Sequence, residues 1–176
     1  EVTMLEWYRL GWDDAALMQE VAALVDEVLG REDFHSVRYG ELVGDLKGDE
    51  ADLAYAQACD ELSGRHFITH FPSEQAALAR LHDGGETAAR FELVVGGLEV
   101  ANGYHELGDA EALRDRFARD NVKRRDAGVA EVPMDEAFLA AMEKGLPDCA
   151  GVAVGIDRLL MLAMGVKSLD AVMPFR

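Results

Sequence analysis

Three glutamates recur at seven-residue intervals, Glu92, Glu99 and Glu106, around a Gly96-Gly97 pair. The flanking runs, residues 91–95 and 98–102, are rich in β-formers, and a Gly-Gly pair between such runs predicts a tight hairpin. With a two-residue turn Val95 faces Leu98, Val94 faces Glu99 and Glu92 faces Ala101. Glu92 and Glu99 then share one face, one diagonal step apart. Two carboxylates so placed repel each other unless a cation neutralises them. Hard oxygen ligands with room for phosphate oxygens suit Mg²⁺ accompanying a nucleotide. A solvent-exposed face on which both acids hydrate is the competing reading. Strict alternation sends Glu106 to the opposite face, and a bulge at Asn102-Gly103 is needed to bring it back.

Two further stretches carry chemistry. GVAVGIDR (residues 151–158) reads as a small-residue strand entering a helix with Arg158 in its first turn. Glycines on a strand let a ligand lie close to backbone, and an arginine beside free N–H groups makes a phosphate site. Packing of the glycines is the alternative. Near the start, period 2 places Val2, Met4, Glu6 and Tyr8 on one face of a strand over residues 1–9. A carboxylate and a phenol beside two apolar side chains make that face a pocket wall or an amphipathic edge.

Other elements must position these groups. Asp13 or Asp14 caps a helix with apolar Leu17, Met18, Val21, Leu24, Val25 and Val28, stopped by Gly30. Residues 31–65 are less legible, with helices predicted over 39–43 and 51–62. Residues 66–71 read as a strand closed by Pro72, and Ser73 caps a helix over 74–81. Polar residues 109–126 and residues 134–144 predict two more helices, and residues 156–164 a last one, ended by Gly165. A hairpin-rich sheet flanked by helices implies an α+β fold with an antiparallel sheet.

Composition restricts the function. The 176 residues, 49% of them hydrophobic, suffice for one domain. No apolar run approaches the length of a membrane span, and no signal-like segment opens the chain. Cys59 and Cys149 lack metal-site spacing, which argues against zinc and fits a reducing, cytoplasmic setting. The net charge of −17 repels nucleic-acid phosphates. The one basic concentration, residues 114–125, holds Arg114, Arg116, Arg119, Lys123, Arg124 and Arg125. Asp115 and Asp120 interrupt it, and it reads as a solvated helix face.

These strings together resemble the class II lysyl-tRNA synthetase-like family. GVAVGIDR is similar to motif 3, EVTMLEWY (residues 1–8) to the second half of motif 2, and RFELVVGGLEVANGYHEL (residues 90–107) to the lysine-specific hairpin between them. The resemblance covers about the first 30 residues and then 66–176. FPSEQAALA (71–79), ANGYHEL (101–107) and PDCAGVAVGIDR (147–158) resemble the stand-alone branch that attaches β-lysine to a lysine of elongation factor P. The tRNA-charging enzymes typically read SPLA, GNGFSEL and PPT at those places, with glycine in place of Ala153.

The resemblance implies an ATP-dependent, adenylate-forming amino-acid ligase. Glu92 and Glu99 would hold Mg²⁺ and ATP, Val100 and Gly155 would line the nucleotide site, and Arg158 would clamp the triphosphate as the catalytic cation. Glu106 and Tyr8, with Glu6 nearby, would receive lysine or β-lysine. Elongation factor P is the implied acceptor, tRNA is disfavoured, and a homodimer is expected by family likeness. Residues 1–176 are expected to form an incomplete catalytic domain: motif 1 and the Arg-x-Glu opening motif 2 are absent, Val2 replaces a phenylalanine that stacks on adenine, and residues 47–67 are shorter than in relatives. The chain begins inside a strand and is expected to be a fragment, or ordered segments joined together. The rival readings are a lysyl-tRNA synthetase catalytic domain, which would carry an anticodon-binding domain upstream, and an inactive paralogue, which would have no need of the metal acids.

Overall fold

The Gly96-Gly97 pair closes the hairpin between β4 (Thr87–Val95) and β5 (Leu98–His105), both glycines having positive φ, as a turn that follows strand twist requires. This is seen in a computed structural model of the chain, which describes residues 2–173. Around the hairpin lie β1 (Met4–Leu10), β2 (Phe34–Arg38), β3 (Arg65–Pro72) and β6 (Cys149–Gly155), in the sheet order β1-β6-β5-β4-β3-β2. Every pairing is antiparallel except β2 with β3, so the sheet is mixed at that edge. The parallel strand lies in the least legible stretch, residues 31–65, where short apolar content is divided among three elements. Glu1, expected to open the first strand, lies outside the described residues.

Helix α1 (Asp14–Leu29) starts where Asp13 accepts from the Ala16 amide and stops at Gly30, whose φ is 84°. It buries Leu17, Val21 and Val25 against one face of the sheet, together with α6 (Ile156–Met164). That core contains Phe67, Phe91, Leu93, Val95, Val152 and Val154. Gly103 belongs to it by necessity, because a Cβ there would stand 2.3 Å from Phe91 Cζ. Helices α2 (Tyr39–Val43) and α3 (Gly48–Glu61) cover the opposite face only at the β3–β4 end, over Ile68, Phe71 and Val94. The β5–β6–β1 end of that face is left open. Helices α4 (Ala110–Asp126), capped by Asp109, and α5 (Glu136–Met142) lie between β5 and β6 in the chain.

Two expectations are corrected. The helix anticipated over 74–81 is one 3-10 turn, Ser73–Gln75. Ala77 has a φ of 49°, which interrupts helical winding, and the backbone then pairs as a ladder, Ala79 with Glu106 and Leu81 with Ala88. The hairpin register also differs. Val94 pairs with Glu99 as expected, but Leu93 pairs with Ala101 and Glu92 with Asn102, so Val100 is an extra residue in β5. The bulge that returns Glu106 to the face of Glu92 is therefore at Val100, not at Asn102-Gly103.

Candidate active site

The bulge decides which side chains meet. It turns Val100 into the core, where it is 2% exposed. It leaves Glu99 on the open face, from which Asn102, Tyr104 and Glu106 continue by simple alternation. β6 pairs with β5 on one side and β1 on the other, setting Gly151 between Tyr104 and Tyr8, and Ala153 between Asn102 and Glu6. The result is a cavity of about 320 Å³ floored by the small residues of β6. Its walls are Met4, Glu6 and Tyr8 from β1, Glu99, Asn102, Tyr104 and Glu106 from the β5 side, and Leu78. Val2, expected beside them, is not among the lining residues.

Gly151 has a steric task. A Cβ there would lie 2.5 Å from Tyr8 Cε1 and 2.6 Å from Glu106 Oε1. The missing side chain lets the phenol and the carboxylate settle onto the sheet, so the glycine makes room for the protein's own groups. Gly155 is less crowded, with Arg158 Cδ and the Val100 carbonyl oxygen each 3.7 Å from the corresponding position.

The electrostatics are those of a site short of positive charge. Burial alone pushes the Glu106 carboxyl up to about 7. The Tyr8 phenol is raised by burial and then by the charges of Glu106 and Glu6. Glu99 is raised by burial and by the neighbouring charge of Glu92, against the opposing pull of Arg158. Asn102 Oδ1 is buried without a hydrogen-bond partner, leaving an acceptor on the cavity wall to be met by a donor.

Glu92 sits on the same face, opposite Asn102, but deeper and 6% exposed. Its Oε2 accepts from the Tyr55 hydroxyl at 2.6 Å and its Oε1 from Arg90. A carboxylate has about four lone-pair sites, so two remain. Arg158, in the first turn of α6, donates to the Glu99 carbonyl at 2.7 Å and stands 3.7 Å from Glu99 Oε2. The buried carboxylate of Asp157 beside it accepts from the Thr3 amide at 2.6 Å, tying the start of α6 to the start of β1. Among the described residues no group of three or more His, Cys, Asp or Glu side chains is arranged to hold a metal.

The structure thus brings together Glu6, Tyr8, Glu99 and Glu106, with Arg158 beside Glu99 and Gly155 beside Arg158. It places Glu92 behind them and directs the Val100 side chain away, leaving only the Val100 carbonyl toward Gly155. Met4 was legible as part of the first strand's inner face. Asn102, Tyr104, Ala153 and Leu78 were missed as site residues. Counting back in twos from Glu106 would have found the first two, whereas Leu78 enters through a ladder that local propensity hides.

The model for tRNA synthetases class II (D, K and N) matches residues 1–176. Among curated proteins, the elongation factor P–(R)-β-lysine ligase of Proteus mirabilis (strain HI4320) is 40% identical over 210 aligned positions. The ligases of the same name from Salmonella dublin and Salmonella paratyphi B are 39% and 38% identical. In each case 99% of this chain is covered and 65% of the relative, so the chain spans about two thirds of their length. The aligned span of 210 positions exceeds the 176 residues here, so the relatives carry positions within it that this chain lacks. No helix among the described residues is long and apolar enough to cross a membrane.

Proposed function

Because this chain belongs to the class II tRNA synthetases (D, K and N), we propose that its protein adenylates lysine or β-lysine with ATP and transfers the acyl group to a lysine side chain of elongation factor P. The observation that carries this reading is Glu106, a carboxylate buried beside Tyr8 with no cationic partner among the described residues, in a cavity whose wall also holds Glu99, itself 3.7 Å from Arg158. A buried acid raised to about 7 is poised to become a paired charge when an ammonium enters. The names of the three relatives support the acceptor, and the net charge of −17 weighs against a tRNA.

The reaction needs no enzyme nucleophile. The amino-acid carboxylate attacks the α-phosphorus of ATP and pyrophosphate leaves. The acceptor amine then attacks the acyl carbon and AMP leaves. Glu106, Tyr8 and Glu6 bind the substrate amines and orient the carboxylate. Arg158 binds the phosphates on exchanging its contact with Glu99. Gly155 and the Val100 backbone line the nucleotide. Mg²⁺ fits the donor set, since Glu99 is raised first by burial and then by the neighbouring charge of Glu92, and a hard cation would relieve both. Bound there, through Glu99 and the free lone pairs of Glu92, it would supply charge neutralisation of the polyphosphate. Residues 1–176 act as part of one catalytic domain, in a homodimer and in the cytoplasm.

The test is acylation by the full protein. With ATP, Mg²⁺ and β-lysine, one acyl group should appear on a single lysine of elongation factor P by mass spectrometry, with little charging of tRNA(Lys). Efficient tRNA charging without modification of the protein acceptor would overturn the choice of acceptor. Absence of pyrophosphate exchange with lysine or β-lysine would overturn the adenylation chemistry.

A further inference from the structure

The two walls that carry Tyr8 and Glu106 come from segments about a hundred residues apart, and something must hold them in register. Asp148, immediately before β6, touches both. Its carbonyl accepts from the Gly11 amide at 2.8 Å, three residues beyond Tyr8. Its side-chain Oδ1 lies 2.7 Å from Arg80 Nη2 and 3.0 Å from His105 Nε2, and His105 precedes Glu106. Arg80 closes the arrangement, donating through Nε to the Glu106 carbonyl at 3.1 Å and through its amide to the His105 carbonyl at 2.8 Å. The Glu106 amide in turn donates to the Cys149 carbonyl at 3.0 Å. Glu106 is thus held from its amide, its carbonyl and the side chain before it, and every one of these links passes through Asp148, its chain neighbour or Arg80.

We infer that the Arg80–Asp148–His105 cluster is a positioning device that sets the Glu106 carboxylate relative to Tyr8, and so decides where the ammonium of a lysine-type substrate rests. The inference builds on the substrate reading of this cavity given above. The cluster does not touch the cavity and does not serve as a general stabiliser. Asp148 is 61% exposed, and an exposed ion pair contributes little to folding. Its value is geometric: one carboxylate oxygen shared by Arg80 and His105, from two segments, leaves the Glu106 backbone a single seat. His105 and Asp148 also fall in two of the three strings that set this chain apart from the tRNA-charging enzymes, 43 residues apart in sequence and in contact in the fold.

Asp148→Ala removes the side-chain links and keeps the backbone link to Gly11. In the full protein, titration calorimetry with L-lysine and β-lysine should show affinity for both falling about tenfold, within the range for residues coupled in one hydrogen-bond network. Affinity for ATP should stay within about twofold, and the melting temperature should barely move. His105→Gln should shift lysine affinity in the same direction, and adding it to Asp148→Ala should cost little more, because both act through one contact. Unchanged lysine affinity in both variants, or equal losses for lysine and ATP, would overturn the positioning role while leaving the substrate reading intact. A wild-type protein that binds neither amine overturns both. Should Asp148→Ala not fold, His105→Gln and Arg80→Lys decide the matter by the same split.

Discussion

Replacing Glu106 with glutamine should stabilise the free protein at alkaline pH while removing its affinity for the amino acid. The Glu106 carboxyl is held near 7 against an ordinary value of 4.5, because burial penalises its charged form. The folded protein therefore binds this proton more tightly than the unfolded chain does. Below pH 4.5 the group is protonated in both states and costs nothing. Between 4.5 and about 7 the unfolded chain ionises first and the folded state loses ground, and above 7 the whole penalty is present. At 1.36 kcal/mol per pKa unit the displacement corresponds to about 3 kcal/mol. The cavity is open to water at its mouth, and screening reduces this to about 1–2 kcal/mol. Urea denaturation of wild type and Glu106→Gln at pH 4.5 and pH 8 measures the effect. The two proteins should have matching stabilities at the lower pH, and the variant should be the more stable at the higher. Calorimetry in the same samples should show lysine binding lost and ATP binding retained. A variant that is less stable at pH 8 would refute the argument, since it would mean that the carboxylate is already paired within the protein.

Two steric predictions accompany it. Gly151→Ala should weaken lysine binding at least tenfold, because its methyl must displace either Tyr8 or Glu106, and should destabilise the fold by about 1–3 kcal/mol; a crystal structure showing both side chains unmoved would contradict this. Gly103→Ala, with Phe91 Cζ 2.3 Å from the new methyl, should destabilise by about 3 kcal/mol in thermal or urea unfolding without selectively altering lysine affinity. A loss confined to binding would place Gly103 at the site rather than under the core.

Local chemistry makes much of the fold legible in the sequence. Asp13 with Gly30, Asp109, and Gly165 mark helix ends because caps and left-handed stops act within a few residues. Gly96-Gly97 marked the hairpin for the same reason, and period 2 along β1 put Met4, Glu6 and Tyr8 on the cavity wall. The three glutamates, GVAVGIDR and the strings around them named the family that matches residues 1–176, because residue type and spacing are all that such motifs require. What only the tertiary structure decided is parity and partnership. One extra residue at Val100 exchanges the two faces of β5, and no propensity of Glu99-Val100-Ala101 announces it, since a bulge is chosen by how the sheet packs on α1 and α6. The ladder at Ala79 and Leu81 replaced an expected helix because backbone partners from distant segments were available there. The pairings of Glu92 with Tyr55, of Gly151 with Tyr8 and Glu106, and of Asp148 with Arg80 and His105 join residues distant in sequence. Contacts of that kind are set by the order and register of strands, which a linear pattern constrains only one strand at a time.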